Sequence, residues 1–306
     1  MYNCNLIIHK WNMRIAVVTD SGSGINPNDI KDKNLFVISM SFMINEDEYY
    51  ENYNITEDEF YTKIKDKDVK LSTSQPSLFR VSEVWKKLLE DFDAIIHIPL
   101  SSGLSASCGQ AMNLAESEYE GRVFVVDNAR ISATQRAAVD DALNMIKDGY
   151  TPEQICYYLY ETRLDSSIYI SVDTLTYLKK GGRVTPQAAA LGNLLRIKPI
   201  LQIQGGKLDA YKKVMSNTLA RKTLIEAVEE DLKGRFKEYL DRGEIKLGIA
   251  HTNFLEGAQL LKEAMQNKFP NLEISYVDSL SCLIACHTGP KALGIGCFRT
   301  YKPKTK

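Results

Sequence analysis

Ala94-Ile95-Ile96-His97-Ile98-Pro99-Leu100-Ser101-Ser102-Gly103-Leu104-Ser105 is the stretch on which the fold of this chain turns. Its first five residues are too apolar to face water, and so short a run reads as a strand buried on both faces. Gln110-Ala111-Met112-Asn113-Leu114-Ala115-Glu116, just beyond, has the composition of a helix. A strand that turns through Ser and Gly into a helix brings hydroxyls and free N–H groups to one point. The first turn of a helix also carries the positive end of its dipole, so the turn suits an anion. Ser105 is the hydroxyl expected to touch a ligand. The plainer alternative is that Ser101, Ser102 or Ser105 only caps the helix.

The same strand–turn–helix unit recurs on either side. Ile15-Ala16-Val17-Val18-Thr19-Asp20 enters Ser21-Gly22-Ser23-Gly24, and Asn26-Pro27 then starts a helical turn. The glycines match neither a dinucleotide fingerprint nor a P-loop. Phe36 to Phe42 reads as a second strand. Thr56-Glu57-Asp58-Glu59 has the form of a capping box opening a helix to about Lys65. Ser72-Thr73-Ser74-Gln75-Pro76-Ser77 is a second hydroxyl cluster, with Thr73 and Ser74 expected at or just before the N-terminus of the helix from Leu78 to Leu89. Val123 to Asp127 reads as a strand, and helices follow from about Ser132 to Asp148 and from Thr151 to about Arg163. Strands alternating with helices predict a parallel, doubly wound sheet. In such sheets ligands lie beyond the carboxyl ends of the strands, which places Asp20-Ser21, Ser105 and Asp127 along one edge, where Thr73 can join them.

After residue 164 the pattern changes. Ile168 to Val172 is a strand, and Leu175 to Lys180 a short helix stopped by Gly181-Gly182, with Arg183 beyond. Leu194 to Gln204 and Lys207 to Tyr211 read as a hairpin with Gly205-Gly206 as its tight turn. A long helix runs from a cap at Asn217 to about Asp241. Ile245–His251, Leu255–Phe269, Ile274–Val277, a brief helix through Cys286 and Leu293–Phe298 complete an α+β pattern. The chain therefore divides into an extension over 1–12, an α/β domain over 13–164 and an α+β domain over 165–306.

Composition bounds the function. The 306 residues exceed the usual single-domain length, and 44% apolar with 25% charged residues suits a water-soluble globular chain. A net charge of −1 speaks against nucleic acid, and the sequence holds no apolar run long enough to span a membrane. The six cysteines show no paired spacing, which points to reduced thiols in a cytoplasmic protein and to no metal site. Cys108 falls in a first helical turn, where a thiol pKa can drop.

With these residues in hand, the chain resembles the DegV family of bacterial lipid-binding proteins. The resemblance is collinear from about Arg14 to Phe298. It rests on Thr19-Asp20-Ser21, Thr73-Ser74-Gln75-Pro76, Ser101-Ser102-Gly103-Leu104-Ser105, Lys180-Gly181-Gly182-Arg183, Ile197-Lys198-Pro199-Ile200 and His287-Thr288-Gly289. It implies a DegV-like two-domain fold that binds one long-chain fatty acid such as palmitate, with its carboxylate between the domains and its tail in an apolar tunnel. Thr73, Ser105 and His287 are the implied carboxylate contacts. It also implies presentation of the acid to a fatty-acid kinase, which makes an acyl-phosphate from ATP, with Arg183 reaching outward to that partner. It implies no catalysis by this chain itself and no cofactor besides the lipid, and it allows a transient membrane contact. The family often has Asp where Gly24 stands, Gly-Thr-Tyr in place of Ala106-Ser107-Cys108, and Gly in place of Lys291, a cation expected either to strengthen carboxylate binding or to face solvent.

Each residue taken singly has an ordinary structural role: Thr73 as a cap, His287 as a hydrogen-bonder, the Lys179 to Arg183 run as a helix stop. The competing function is an acyl-ester hydrolase with Ser105 as nucleophile and His287 as base. Gly103-Leu104-Ser105-Ala106-Ser107 misses the nucleophile-elbow pattern by one residue. A sugar-phosphate binder or kinase-like protein would need a cluster of metal-holding carboxylates, and only Asp20 and Asp127 are at hand.

Overall fold

The computed structural model describes residues 13–66, 68–190 and 197–304. The extension over 1–12 and the start of the expected hairpin arm, Leu194 to Arg196, lie outside them. The first half runs β1 (Ile15–Asp20), β2 (Leu35–Ile38), β3 (Phe42–Ile44), β4 (Asp47–Tyr49), α1 (Glu57–Lys63), β5 (Leu71–Thr73), α2 (Leu78–Asp91), β6 (Ala94–Ile98), α3 (Ser107–Glu118), β7 (Val123–Val125), α4 (Ser132–Lys147) and α5 (Pro152–Glu161).

Four strands form a parallel sheet in the order β2-β1-β6-β7. Side chains alternate between its faces, as the pleat requires. Ala16, Val18 and Ile95 pack against Val81 and Trp85 of α2 and Ala111 of α3. Ile15, Val17, Ile96 and Ile98 pack against Val139 and Ala142 of α4 and Ile155 of α5. The sheet is thus wound on both sides, and the strand order reverses between β1 and β6. Their carboxyl ends, Asp20 and the Pro99–Ser105 turn, flank that crevice.

The expected strand from Phe36 to Phe42 is two strands in different sheets. β2 stops at Ile38, and the Met40 N–H donates to Ser21 Oγ at 2.8 Å, which turns the chain out of the parallel sheet. β3 then pairs antiparallel with β4 and β5 in a three-stranded sheet that sequence reading did not foresee. Thr73 consequently lies at the end of β5, opposite Phe42, and not at a helix N-terminus. Ser77 caps α2, its Oγ accepting from the Arg80 N–H at 3.3 Å. The capping box of α1 forms as read, with Thr56 and Glu59 each accepting from the other's backbone.

The second half comprises β8 (Ser166–Ser171), α6 (Thr176–Gly181), α7 (Pro186–Ala189), β9 (Lys198–Ile203), β10 (Asp209–Val214), α8 (Asn217–Lys233), α9 (Lys237–Asp241), β11 (Ile245–His251), α10 (Leu255–Lys268), β12 (Ile274–Ser279), α11 (Cys282–Thr288) and β13 (Leu293–Arg299). Its mixed sheet has the order β10-β9-β8-β13-β11-β12. One face, with Leu293, Ile295 and Cys297, packs on Leu224 and Val228 of α8 and Leu261 of α10. The opposite face, with Ile170, Leu201 and Ile203, meets Leu100 and Leu104 of the first half. The expected helix over 217–241 is broken at Gly234, and its cap is Ser216, whose Oγ accepts from the Leu219 N–H at 3.2 Å.

Gly205-Gly206 is not a two-residue turn, since β9 ends at Ile203 and β10 begins at Asp209. These glycines let the loop approach the first half closely. A Cβ on Gly205, whose φ is +93°, would lie 2.3 Å from Leu164 Cδ2, and one on Gly103 would lie 3.0 Å from Gly206 Cα. Backbone meets backbone there with no side chain between them.

Candidate functional site

At the carboxyl end of β1 the Asp20 side chain is wholly buried, and burial raises its pKa. One oxygen accepts from the Leu100 N–H at 2.7 Å; the other accepts from the Gly22 N–H at 2.9 Å and from Gln135 Nε2 at 3.2 Å. The same Gln135 amide donates to Thr19 Oγ1 and to the Ile98 carbonyl. This knot ties β1, β6 and α4 together and fixes the start of the Pro99–Ser105 turn. Asp127 likewise serves the backbone, accepting from the Ser102 and Ala129 N–H groups. Both carboxylates expected along the ligand edge are scaffold.

Beyond the knot, Ser105 Oγ accepts from the Ser107 N–H at 3.2 Å, so it caps the first turn of α3 while its residue lines a cavity. The cavity, about 440 Å³, lies between the halves and is walled mostly by aliphatic side chains and glycines. Thr73, Ser105, Arg183 and His287 all line it. Thr73 comes from the three-stranded sheet, Ser105 from the turn after β6, and His287 from α11. Thr73 Oγ1 and His287 Nε2 are 2.9 Å apart, joining residues 214 positions distant in the chain.

His287 is mostly buried, and burial, together with the neighbouring Arg183 guanidinium, lowers its pKa to about 4. The imidazole is therefore neutral at pH 7 and carries one N–H. Among the described residues its Nδ1 has no hydrogen-bond partner. The ring lies against Gly181, where a Cβ would come within 2.2 Å of Nδ1, so the glycine of the Lys180-Gly181-Gly182-Arg183 run is what gives the imidazole room. Arg183 does not reach outward as expected. Its Nε donates to the Leu104 carbonyl at 3.2 Å and its terminal nitrogen to the Gly181 carbonyl at 2.5 Å, which keeps the guanidinium on the cavity wall. Lys291 is exposed and is absent from that wall.

Hydroxyls, a neutral imidazole and a guanidinium on the wall of an apolar cavity can donate to an anion that only accepts, such as a carboxylate. Among the described residues no Ser–His–carboxylate relay is assembled: His287 Nδ1 has no carboxylate partner, its Nε2 is bonded to Thr73, and Ser105 Oγ accepts from its own helix. The Cys108 thiol is buried and pushed up to about 12 by that burial, with Asp127 and Asp20 adding to the shift, so its place in a first helical turn does not make it acidic and it packs as a small core residue. Among the described residues there is no cluster of three or more His, Cys, Asp or Glu fit to hold a metal, and no helix long and apolar enough to cross a membrane.

Sequence reading missed Gln75 as a cavity residue, although Gln75 belongs to a quoted motif. Its side-chain amide pairs with that of Gln110 of α3 at 2.5 Å, closing the wall between β5 and α3. A polar residue two positions past Thr73, just before a proline, was the available signal.

Comparison with known proteins agrees with this architecture. A sequence model of the DegV family, described as an uncharacterised protein, matches residues 14–300. A DegV domain-containing protein of Streptococcus pyogenes serotype M1 is 31% identical over 287 residues, which is 93% of this chain and 98% of that protein. The crystal structure of a fatty acid binding DegV family protein from Streptococcus agalactiae matches with a TM-score of 0.83 and 26% identity, covering 96% of this chain and 100% of its own. That of DegV, a fatty acid binding protein from Bacillus subtilis, matches with a TM-score of 0.81 and 27% identity, covering 94% and 100%. Family match, shared length and common architecture agree: this chain belongs to the DegV family.

Proposed function

We propose that this protein is a cytoplasmic carrier that binds one long-chain fatty acid, with the carboxylate at Thr73, Ser105, His287 and Arg183 and the tail in the cavity between the halves. The observation that carries the reading is the cavity itself: about 440 Å³, walled mostly by aliphatic side chains and glycines, with Thr73, Ser105, Arg183 and His287 on its wall. That size falls within the range of small-molecule pockets. Each buried methylene contributes ~0.8 kcal/mol, so a tail of ~14 methylenes supplies on the order of 11 kcal/mol before the costs of binding. Hydrogen bonds to the charged head add ~1.5–3 kcal/mol each, offset by its desolvation. The tail thus sets affinity and the head groups set orientation.

Fixed orientation is what a kinase would need to phosphorylate the carboxylate, and we propose that the carrier presents the acid to such a partner. Arg183, next to His287 on the cavity wall, would then serve the bound head first and the incoming phosphoryl donor second. Mass spectrometry of an organic extract of the purified protein tests the binding step, and a fatty acid in near-stoichiometric amount is expected. An extract free of fatty acid, from protein that also takes up no added palmitate or oleate, would overturn the reading.

A further inference from the structure

The cavity-facing side of the six-stranded sheet holds an unusual row of missing side chains. Strand pairing sets Ile170, Gly294 and Ala250 side by side across β8, β13 and β11, and two residues along it sets Ile168, Gly296 and Gly248 in the same order. All six line the cavity. Two isoleucines thus form a bank, and three glycines with one alanine form a trough beside it. The alternate residues of β13, Leu293, Ile295 and Cys297, fill the core on the other face, so the glycines fall only where the cavity lies.

The two rows differ in what lies over them. A Cβ on Gly248 would come within 2.5 Å of Ala133 Cβ, and one on Gly296 within 3.1 Å of Thr134 Cγ2. The first turn of α4 therefore rests directly on the second row and closes it. Over Gly294 the nearest atoms to a built Cβ are Tyr169 O at 3.5 Å and Ile170 Cβ at 3.6 Å, both belonging to the sheet. The first row is open above, and it is the row nearer α11, which carries His287. Successive rows are about 6.6 Å apart along a strand.

We propose that the acyl tail runs over Gly294 and stops where α4 seats on Gly248 and Gly296, so that Gly294 determines how long a tail the cavity accepts. This rests on the carrier reading above and adds the residue that measures the ligand. A side chain at Gly294 takes up space that methylenes would fill, without touching the polar groups. Each methylene denied its burial weakens binding about fourfold.

The test compares wild-type, Gly294→Ala and Gly294→Val proteins in binding saturated acids of increasing length, from dodecanoic to octadecanoic, with melting followed on the same samples. Gly294→Ala has room for its methyl group and is expected to fold normally. The expected result is a graded loss: the longest acids weaken by about fourfold in Gly294→Ala and by tenfold or more in Gly294→Val, while the shortest bind as in the wild type. An unchanged length profile in folded Gly294→Ala, or an equal loss at every length, would overturn the proposal while leaving the carrier reading intact. Failure of the wild-type protein to bind any of the acids would instead remove the carrier reading and this proposal with it. If Gly294→Val does not fold, the alanine variant decides alone.

Discussion

Two buried polar groups do opposite work. Asp20 is wholly buried, and its two oxygens are filled by two backbone N–H groups and one amide. His287 is also largely buried, yet its residue lines a cavity: Nε2 meets the Thr73 hydroxyl, while Nδ1 packs against Gly181 with no hydrogen-bond partner among the described residues. Burial alone does not separate them; what they face does. A buried carboxylate held by donors of the fold itself is framework, and a buried imidazole whose residue lines an empty volume is placed to receive a ligand.

The contrast breaks first at the knot. Asp20→Ala leaves the Leu100 and Gly22 N–H groups without their acceptor, while the Gln135 amide keeps Thr19 and Ile98, and each orphaned donor costs ~1–3 kcal/mol. Chemical denaturation should show a loss of about 4 kcal/mol. Lipid binding should fall with it, because the turn bearing Ser105 loses its anchor. Full stability in the variant would show that the knot is not framework.

A second test uses pH. The folded His287 pKa of about 4 lies below the ordinary value of 6.5, so between these values the unfolded chain takes up a proton that the folded chain refuses. Stability therefore rises with pH across that window: it is complete above about pH 6.5 and is lost as pH falls toward about 4, by ~3 kcal/mol at most. Comparing the lipid-free protein with its His287→Gln variant isolates this contribution, since His97, pushed down to about 3 by burial, is common to both. A bound carboxylate favours the imidazolium, so lipid should flatten the wild-type curve between pH 4 and 6.5. Parallel curves for the two proteins would mean that His287 titrates as an exposed imidazole does.

The smallest effect belongs to Ser105, which stands between the two cases. Its Oγ caps α3, and the residue lines the cavity. Ser105→Ala should cost about 1 kcal/mol of stability through the lost cap and weaken lipid binding by no more than ~1.5–3 kcal/mol, because the tail still fills its trough. Melting that drops while lipid exchange is unchanged would make Ser105 a cap alone.

Much of this was legible in the sequence. Long apolar runs and capping boxes carry strong periodic signals, which is why the doubly wound sheet and most helices fall where they were read. The three-stranded sheet was missed because strands such as Phe42–Ile44 and Leu71–Thr73 have three residues each, too few to show alternation. Thr73 was singled out, but its setting was misread for that reason. The outward reach assigned to Arg183 failed because nothing local announces the Leu104 carbonyl, 79 positions away, as its acceptor. Asp20 and Asp127 were expected along the same edge as the ligand; counting their partners shows that both serve the backbone, Asp20 through both oxygens and Asp127 through Oδ1.

The separation of 214 residues between Thr73 and His287 bears on how a chain with the proposed carrier role would come to hold its ligand. Contacts so distant in sequence form late, after the loop between them has closed. No half-assembled chain contains the binding site, so an acid cannot guide assembly and can only reward its completion. Occupancy then shifts the equilibrium of the whole molecule, by about 2.7 kcal/mol when free acid stands at a hundred times its dissociation constant. For a cell, that would make loaded carrier longer-lived than empty carrier, and the abundance of the protein would follow the supply of its cargo.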